Sequence, residues 1–244
     1  MTMMSEKLMA NQPKLSPPKQ RHLALLIALL VLFILSPIIL THRFGVVLMN
    51  IVGAAVFFSG TYAVRERKRL FAITILLAVV SIGADILLQT TPSDLLVLVA
   101  YATVLLLMVV FSVSILSNVL QSGRVTADKI YGAICVYLLV AYAWAFAYAI
   151  IESCEPGSFA GLNTQEHLVR ENISRVIQLR YFSFVTLTTV GYGDITPHSP
   201  LARTLSMIEA VMGQMYLAIL VARLVGLHIV DAAELKAEET RHQR

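Results

Sequence analysis

The chain reads as a succession of long apolar blocks separated by short polar breaks, and each block has the length of a membrane crossing. The blocks are Leu23 to Leu40, Val46 to Val64, Leu70 to Leu88, Leu95 to Leu116, Ile130 to Ile151 and Leu201 to Leu227. Crossing a hydrocarbon core takes about 20 helical residues. Within lipid, every backbone N–H and C=O must find an internal partner. None of the blocks alternates apolar with polar positions as barrel strands do. The pattern predicts an all-α membrane protein with six transmembrane helices.

The polar breaks differ in charge, and the difference sets an orientation. Lys7, Lys14, Lys19 and Arg21 precede the first block, and Arg65, Arg67, Lys68 and Arg69 separate the second from the third. Arg124 and Lys129 separate the fourth from the fifth, whereas Thr90 to Asp94 carries no base. Lys and Arg gather on the cytoplasmic side. The prediction is a multi-pass protein of the cell (inner) membrane with both termini cytoplasmic and the Glu152 to Pro200 connection outside.

Composition agrees with this reading: 57% of the 244 residues are hydrophobic, 14% are charged, and the mean hydropathy is +0.75. Soluble domains carry about 25% charged residues. The pI of 9.1 comes from loop bases, so the Arg65 to Arg69 cluster reads as topology and contact with lipid headgroups, not as nucleic-acid binding. A basic leader before Leu23 to Leu35 has the outline of a secretory signal. The long polar leader, the over-long run, and His42 with Arg43 where small residues are needed for cleavage argue for a retained helix. Cys135 lies inside an apolar block and Cys154 stands alone in the outer connection, which predicts no disulfide within the chain. No convincing set of nucleophile, metal ligands or phosphate loop is present, so neither an enzyme nor a cofactor is expected.

The connection between the last two blocks carries the chemistry. Glu152 to Arg180 is polar, contains Pro156 and Gly157, and predicts a turret-like loop. Tyr181 to Leu187 is apolar but too short to span, which predicts a helix that enters partway from outside and returns. Such a segment is tolerated only where its backbone is buried in protein or lines a watery cavity. It is followed at Thr188 to Asp194 by Thr-Thr-Val-Gly-Tyr-Gly-Asp.

The stretch Tyr181 to Pro197, Tyr-Phe-Ser-Phe-Val-Thr-Leu-Thr-Thr-Val-Gly-Tyr-Gly-Asp-Ile-Thr-Pro, resembles the pore of prokaryotic potassium channels. The likeness covers roughly Ile130 to Leu227 as outer helix, pore helix, selectivity filter and inner helix. It implies that K+ is the permeating ion, coordinated by Thr189, Val190, Gly191 and Tyr192, with Gly193 closing the filter. Asp194 is then the anchor of the outer mouth, with Tyr181, Thr188 and Glu209 as supports. The simplest members of that family set an acidic residue of the pore helix against this Asp. Val185 occupies that position here, and the Tyr181 hydroxyl is the candidate substitute.

The residue types suit the task. Removing water from K+ takes stacked rings of oxygens, which backbone carbonyls supply at little bulk. An extended strand alternates its carbonyls, so some positions need unusual dihedrals, and Gly191 and Gly193 adopt them without a Cβ clash. One pore loop per chain requires three further identical subunits around the ion, a homotetramer in the lipid bilayer.

Gly213 lies where the family has its hinge glycine, with close helix packing as the competing role. Leu217, Val221 and Val225 follow at four-residue steps and are expected to share its face as an inner gate. Glu209 and Asp85 are acids within apolar blocks. Glu209 is expected to accept hydrogen bonds from Ser183 or Thr186 behind the filter, and Asp85 to reach the outer interface. Leu95 to Ser122 contains no Lys or Arg, which predicts weak voltage dependence. The chain thus divides into a tail (1–22), a four-helix membrane domain without voltage-sensor arginines (23–118), a pore domain (130–230) and a short tail (231–244). A less selective cation channel and a potassium transporter component are the alternatives, although the paired, interrupted repeats of transporters are not visible.

Overall fold

The computed structural model describes residues 22–41, 45–65, 68–91, 93–121, 126–163 and 168–242, and it is mostly helical. The helices in chain order are α1 (Leu23–Thr41), α2 (Gly45–Val64), α3 (Lys68–Thr90), α4 (Asp94–Val119), α5 (Ala127–Cys154), α6 (Leu168–Leu187) and α7 (Pro200–His242). Two short strands, β1 (Phe159–Ala160) and β2 (Thr196–Pro197), flank α6. Four helices are long and apolar enough to cross a membrane: Lys68–Leu88, Asp94–Val119, Ala127–Cys154 and Pro200–Arg223. Leu23–Leu35 and Ile51–Val64 are shorter apolar stretches among the described residues. Apart from His22, the predicted N-terminal tail lies outside those residues, as do the side chains of Asp85 and Val225.

The ends of the helices follow from local sequence. Thr126 caps α5, its hydroxyl accepting from the Lys129 N–H at 3.4 Å, and Asp128 in the first turn complements the helix dipole. Ser199 caps α7 by accepting from the Ala202 N–H at 3.3 Å. Pro200 follows at the first helical position, where its missing N–H costs nothing.

α5 is the central element, packing on α4, α6, α1 and α7. It does so through small residues: Ala133, Ala141, Ala145 and Ala149 are all fully or almost fully buried, which lets neighbouring backbones approach closely, as helix pairs in lipid require. At its N-terminal end, α5 is tied to the start of α1, because His22 Nδ1 lies 2.8 Å from Asp128 Oδ2. The Tyr142 hydroxyl of α5 donates to the Leu29 carbonyl of α1 at 3.2 Å.

The segment read as a turret-like loop as far as Arg180 becomes helical at Leu168, so α6 is much longer than Tyr181–Leu187. The physical reason is an apolar stripe hidden among the charges. Val176, Ile177 and Leu179 are buried and continue the face on which Phe182, Ser183 and Leu187 pack.

Candidate functional site

α6 ends in a way that aims the following chain away from its axis. The Val190 N–H donates to the Val185 carbonyl at 2.9 Å and the Thr189 N–H to the Thr186 carbonyl at 3.0 Å. These are the paired bonds of a Schellman ending, whose left-handed residue is usually glycine. Here that residue is Thr189, with φ 59°, the one non-glycine residue with positive φ among those described. A left-handed L-residue costs about 1–2 kcal/mol, so something other than backbone preference keeps a threonine at this position.

The left-handed conformation recurs at every second residue, with φ 62° at Gly191 and 80° at Gly193. A Cβ at either glycine meets no atom within 4 Å, so within this chain the backbone angle, not space, calls for glycine. Alternating hands turn successive carbonyls to one side of an extended segment, whereas a plain strand points them to opposite sides. The Val190 and Tyr192 side chains are 52% and 71% exposed.

The far end of this segment is fastened twice. The Tyr181 hydroxyl donates to Asp194 Oδ2 at 2.7 Å, and the Tyr181 and Tyr192 rings stack 6.4 Å apart at an interplanar angle of 3°. This hydrogen bond holds the Asp194 carboxyl below the usual carboxylate range and pushes the Tyr181 phenol up to about 12. The second fastening is a two-residue antiparallel ladder pairing Phe159 with Pro197 and Ala160 with Thr196. Gly161, at φ 88°, lies so close that an added Cβ falls 2.1 Å from the Asp194 carbonyl oxygen. Glu152, near the end of α5, accepts from the Gly157 and Phe159 N–H groups at 2.8 and 3.0 Å, which shapes the turn leading into β1.

Behind α6, Glu209 is fully buried. It accepts from the Tyr148 hydroxyl at 2.6 Å and lies 2.5 Å from Ser183 Oγ. Ser183 Oγ is also 2.8 Å from the Ala141 carbonyl. The structure therefore places Glu209 on Ser183, with Tyr148 in the role that the sequence had offered to Thr186. Tyr148 is itself enclosed by Trp144, Phe159 and Phe182, with ring centroids 5.2–5.6 Å away.

At the other end of the site, Gly213 of α7 is buried against α6. A Cβ there falls 2.2 Å from the Leu187 carbonyl oxygen, which the Tyr137 hydroxyl reaches from α5 at 3.3 Å. Close packing alone accounts for this glycine. Thr188 turns its hydroxyl back to the Phe184 carbonyl at 2.6 Å. The Gln214 amide donates to Thr189 Oγ1 at 3.2 Å. Further along α7, Leu217 and Val221 are 40% and 57% exposed, unlike buried Gly213.

Tyr148, Gln214, Tyr137 and Gly161 were not singled out from the sequence. The one available signal was that a glutamine or tyrosine inside an apolar block must find a polar partner. Which partner it finds depends on helix packing.

Known proteins match parts of the chain. The ion channel family matches residues 134–227. The inward rectifier potassium channel Kirbac3.1 of Paramagnetospirillum magnetotacticum is 33% identical over 88 residues, covering 34% of this chain and 24% of that protein. Two-pore potassium channel 3 of Arabidopsis thaliana is 33% identical over 70 residues, covering 29% of this chain and 16% of its own length. Protein LctB of Bacillus caldotenax is 27% identical over 108 residues, covering 44% of this chain and 78% of that protein. The chain thus spans a quarter or less of the two potassium channels. No solved structure matches. The four apolar helices of membrane length and the match to the ion channel family agree with a multi-pass membrane protein, part of which is similar to potassium channels.

Proposed function

We propose that the chain is one subunit of a homotetrameric, potassium-selective channel that conducts K+ passively across the cell membrane. The observation that carries this reading is the alternation of positive φ at Thr189, Gly191 and Gly193. It gives one extended segment a row of carbonyl oxygens on one side, and four such rows around an axis replace the hydration shell of a monovalent cation. α6 acts as the re-entrant pore helix and α1 to α5 with α7 as six spans, both termini being cytoplasmic.

Tetramerisation follows from the same feature. A single row leaves the ion open to water, and a single subunit leaves Val190 and Tyr192 uncovered. Thr189, Val190, Gly191 and Tyr192 coordinate K+, Gly193 closes the filter, and Tyr181, Thr188, Asp194 and Glu209 hold it in place. Leu217, Val221 and Val225 form the inner constriction. With no Lys or Arg in Leu95 to Ser122, voltage dependence is weak.

Uptake of radioactive rubidium into proteoliposomes against a K+ gradient tests the function. Uptake is expected with the unsubstituted protein and lost in Gly191→Ala, whose Cβ is disfavoured at φ 62° by about 1–2 kcal/mol in each subunit. Equal uptake in both proteins, or equal permeation of sodium, refutes the potassium filter.

A further inference from the structure

Gln214 is a polar side chain among exposed apolar neighbours on α7, with Met212, Met215 and Leu217 nearby. Its amide reaches the hydroxyl of the one non-glycine residue with a left-handed backbone among those described. We propose that Gln214 is a positioning residue for the innermost ion site, fixing the Thr189 hydroxyl so that its oxygen is preset toward the ion path.

The inference rests on the channel reading above and adds a residue to it. Glycine at position 189 would remove the steric cost of a positive φ, as it does at Gly191 and Gly193. Threonine is kept instead, and a strained residue of this kind persists where its side chain has a task. A hydroxyl has one proton and two lone pairs and rotates freely unless it is held. The Gln214 N–H, at 3.2 Å, occupies one lone pair and leaves the other for a cation. The separation is set by backbone contact, because adjacent Gly213 lets α7 lie directly on the Leu187 carbonyl, two residues before Thr189. An oxygen already oriented needs no rearrangement when a dehydrated ion arrives.

Ba2+ is the probe, since it is close to K+ in size and carries twice the charge. Entering from the cytoplasmic side, it meets the Thr189 oxygens first. Gln214→Met keeps the length of the side chain and removes its N–H, and Gln214→Leu is the second variant. In full-length protein reconstituted in vesicles, the internal Ba2+ concentration for half-block of rubidium flux is expected to rise about fivefold in each, the worth of one hydrogen bond. The increase in tetramer melting temperature on adding Ba2+ reads the same site without conduction. In a Thr189→Val background this increase should not change further when Gln214→Met is added, because the hydroxyl through which Gln214 acts is gone.

Half-block within twofold of the parent in both variants overturns the proposal, as does an equal additional change in the Thr189→Val background. Loss of assembly in both variants assigns Gln214 to folding and also overturns it. Absence of rubidium flux in the unsubstituted protein defeats the channel reading itself, and the positioning role with it.

Discussion

Gly213→Ala separates packing from hinging by a steric magnitude. The new methyl carbon falls 2.2 Å from the Leu187 carbonyl oxygen and 3.0 Å from Leu187 Cδ1, where ordinary contact begins at 3.4 Å. The oxygen or the helix must therefore recede by about 1 Å, and interiors packed like organic crystals do not yield that freely. The obstacle is backbone at the end of α6, held by the Tyr137 hydroxyl at 3.3 Å, so it cannot swing aside as a side chain would. Overpacking of this kind costs about 1–3 kcal/mol in each subunit, and the displaced peptide lies immediately before the Thr188 to Asp194 segment.

The assay is the melting temperature of the detergent-purified protein, followed by the fluorescence of its one tryptophan, Trp144, which stacks on Tyr148. A fall on the order of 5 °C is expected, with rubidium flux reduced well below that temperature. Gly226→Ala on the same helix is the control, since a Cβ there meets nothing within 4 Å. Removing an interior glycine is then expected to leave stability unchanged or to raise it by up to about 1 kcal/mol. If Gly213→Ala melts within 1 °C or so of the parent while only its open probability changes, the packing argument fails and a hinge is the better account.

Glu209 and Tyr181 give two further tests. Glu209→Ala leaves the buried Tyr148 hydroxyl without its acceptor and opens a cavity, together worth about 3 kcal/mol or more. Glu209→Gln presents an oxygen to Tyr148 and an N–H to Ser183. The melting temperature should fall much further for alanine than for glutamine, and equal losses would contradict the hydrogen-bond assignment. Tyr181→Phe removes the donor to Asp194, and flux is expected to decay faster during sustained K+ efflux; an unchanged decay would show that the bond does not brace the mouth. The sign of the pH dependence follows from both partners. The Asp194 contribution is fully present above its ordinary 3.8 and lost as pH falls through its lowered value. The Tyr181 contribution is fully present below its ordinary 10.0 and lost as pH rises through about 12. Titrating the outer solution from pH 5 to 9 should leave the decay rate unchanged, and a large change would mean that another group controls the mouth.

Helices of membrane length were legible because lipid imposes length and hydrophobicity on every crossing, and four of the six apolar blocks hold such a helix among the described residues; the Thr-Val-Gly-Tyr-Gly string announces its backbone through its glycines. The helical start of α6 was hidden because its apolar positions, among them Val176, Ile177 and Leu179, are interleaved with polar residues such as Arg175 and Gln178 and with Arg180, which is itself buried, and so do not form a block. Glu209 drew attention as an acid inside an apolar block, but Tyr148 did not, since a tyrosine there reads equally well as an interfacial anchor or as core. The left-handed turn at Thr189 could not be foreseen from residue type, because threonine is disfavoured there. Only the neighbourhood of Gln214 and the α6 ending gives it a context.

The ladder between Phe159–Ala160 and Thr196–Pro197 bears on how the protein is made. Its two strands are about forty residues apart in sequence, and they close around α6 and the Thr188 to Asp194 segment within one chain. The entropy of closing such a loop grows only slowly with its length, and the closure needs no contact outside the chain. The Thr188 to Asp194 segment can therefore take shape within a single newly synthesised chain, and in the proposed tetramer assembly would join parts already formed.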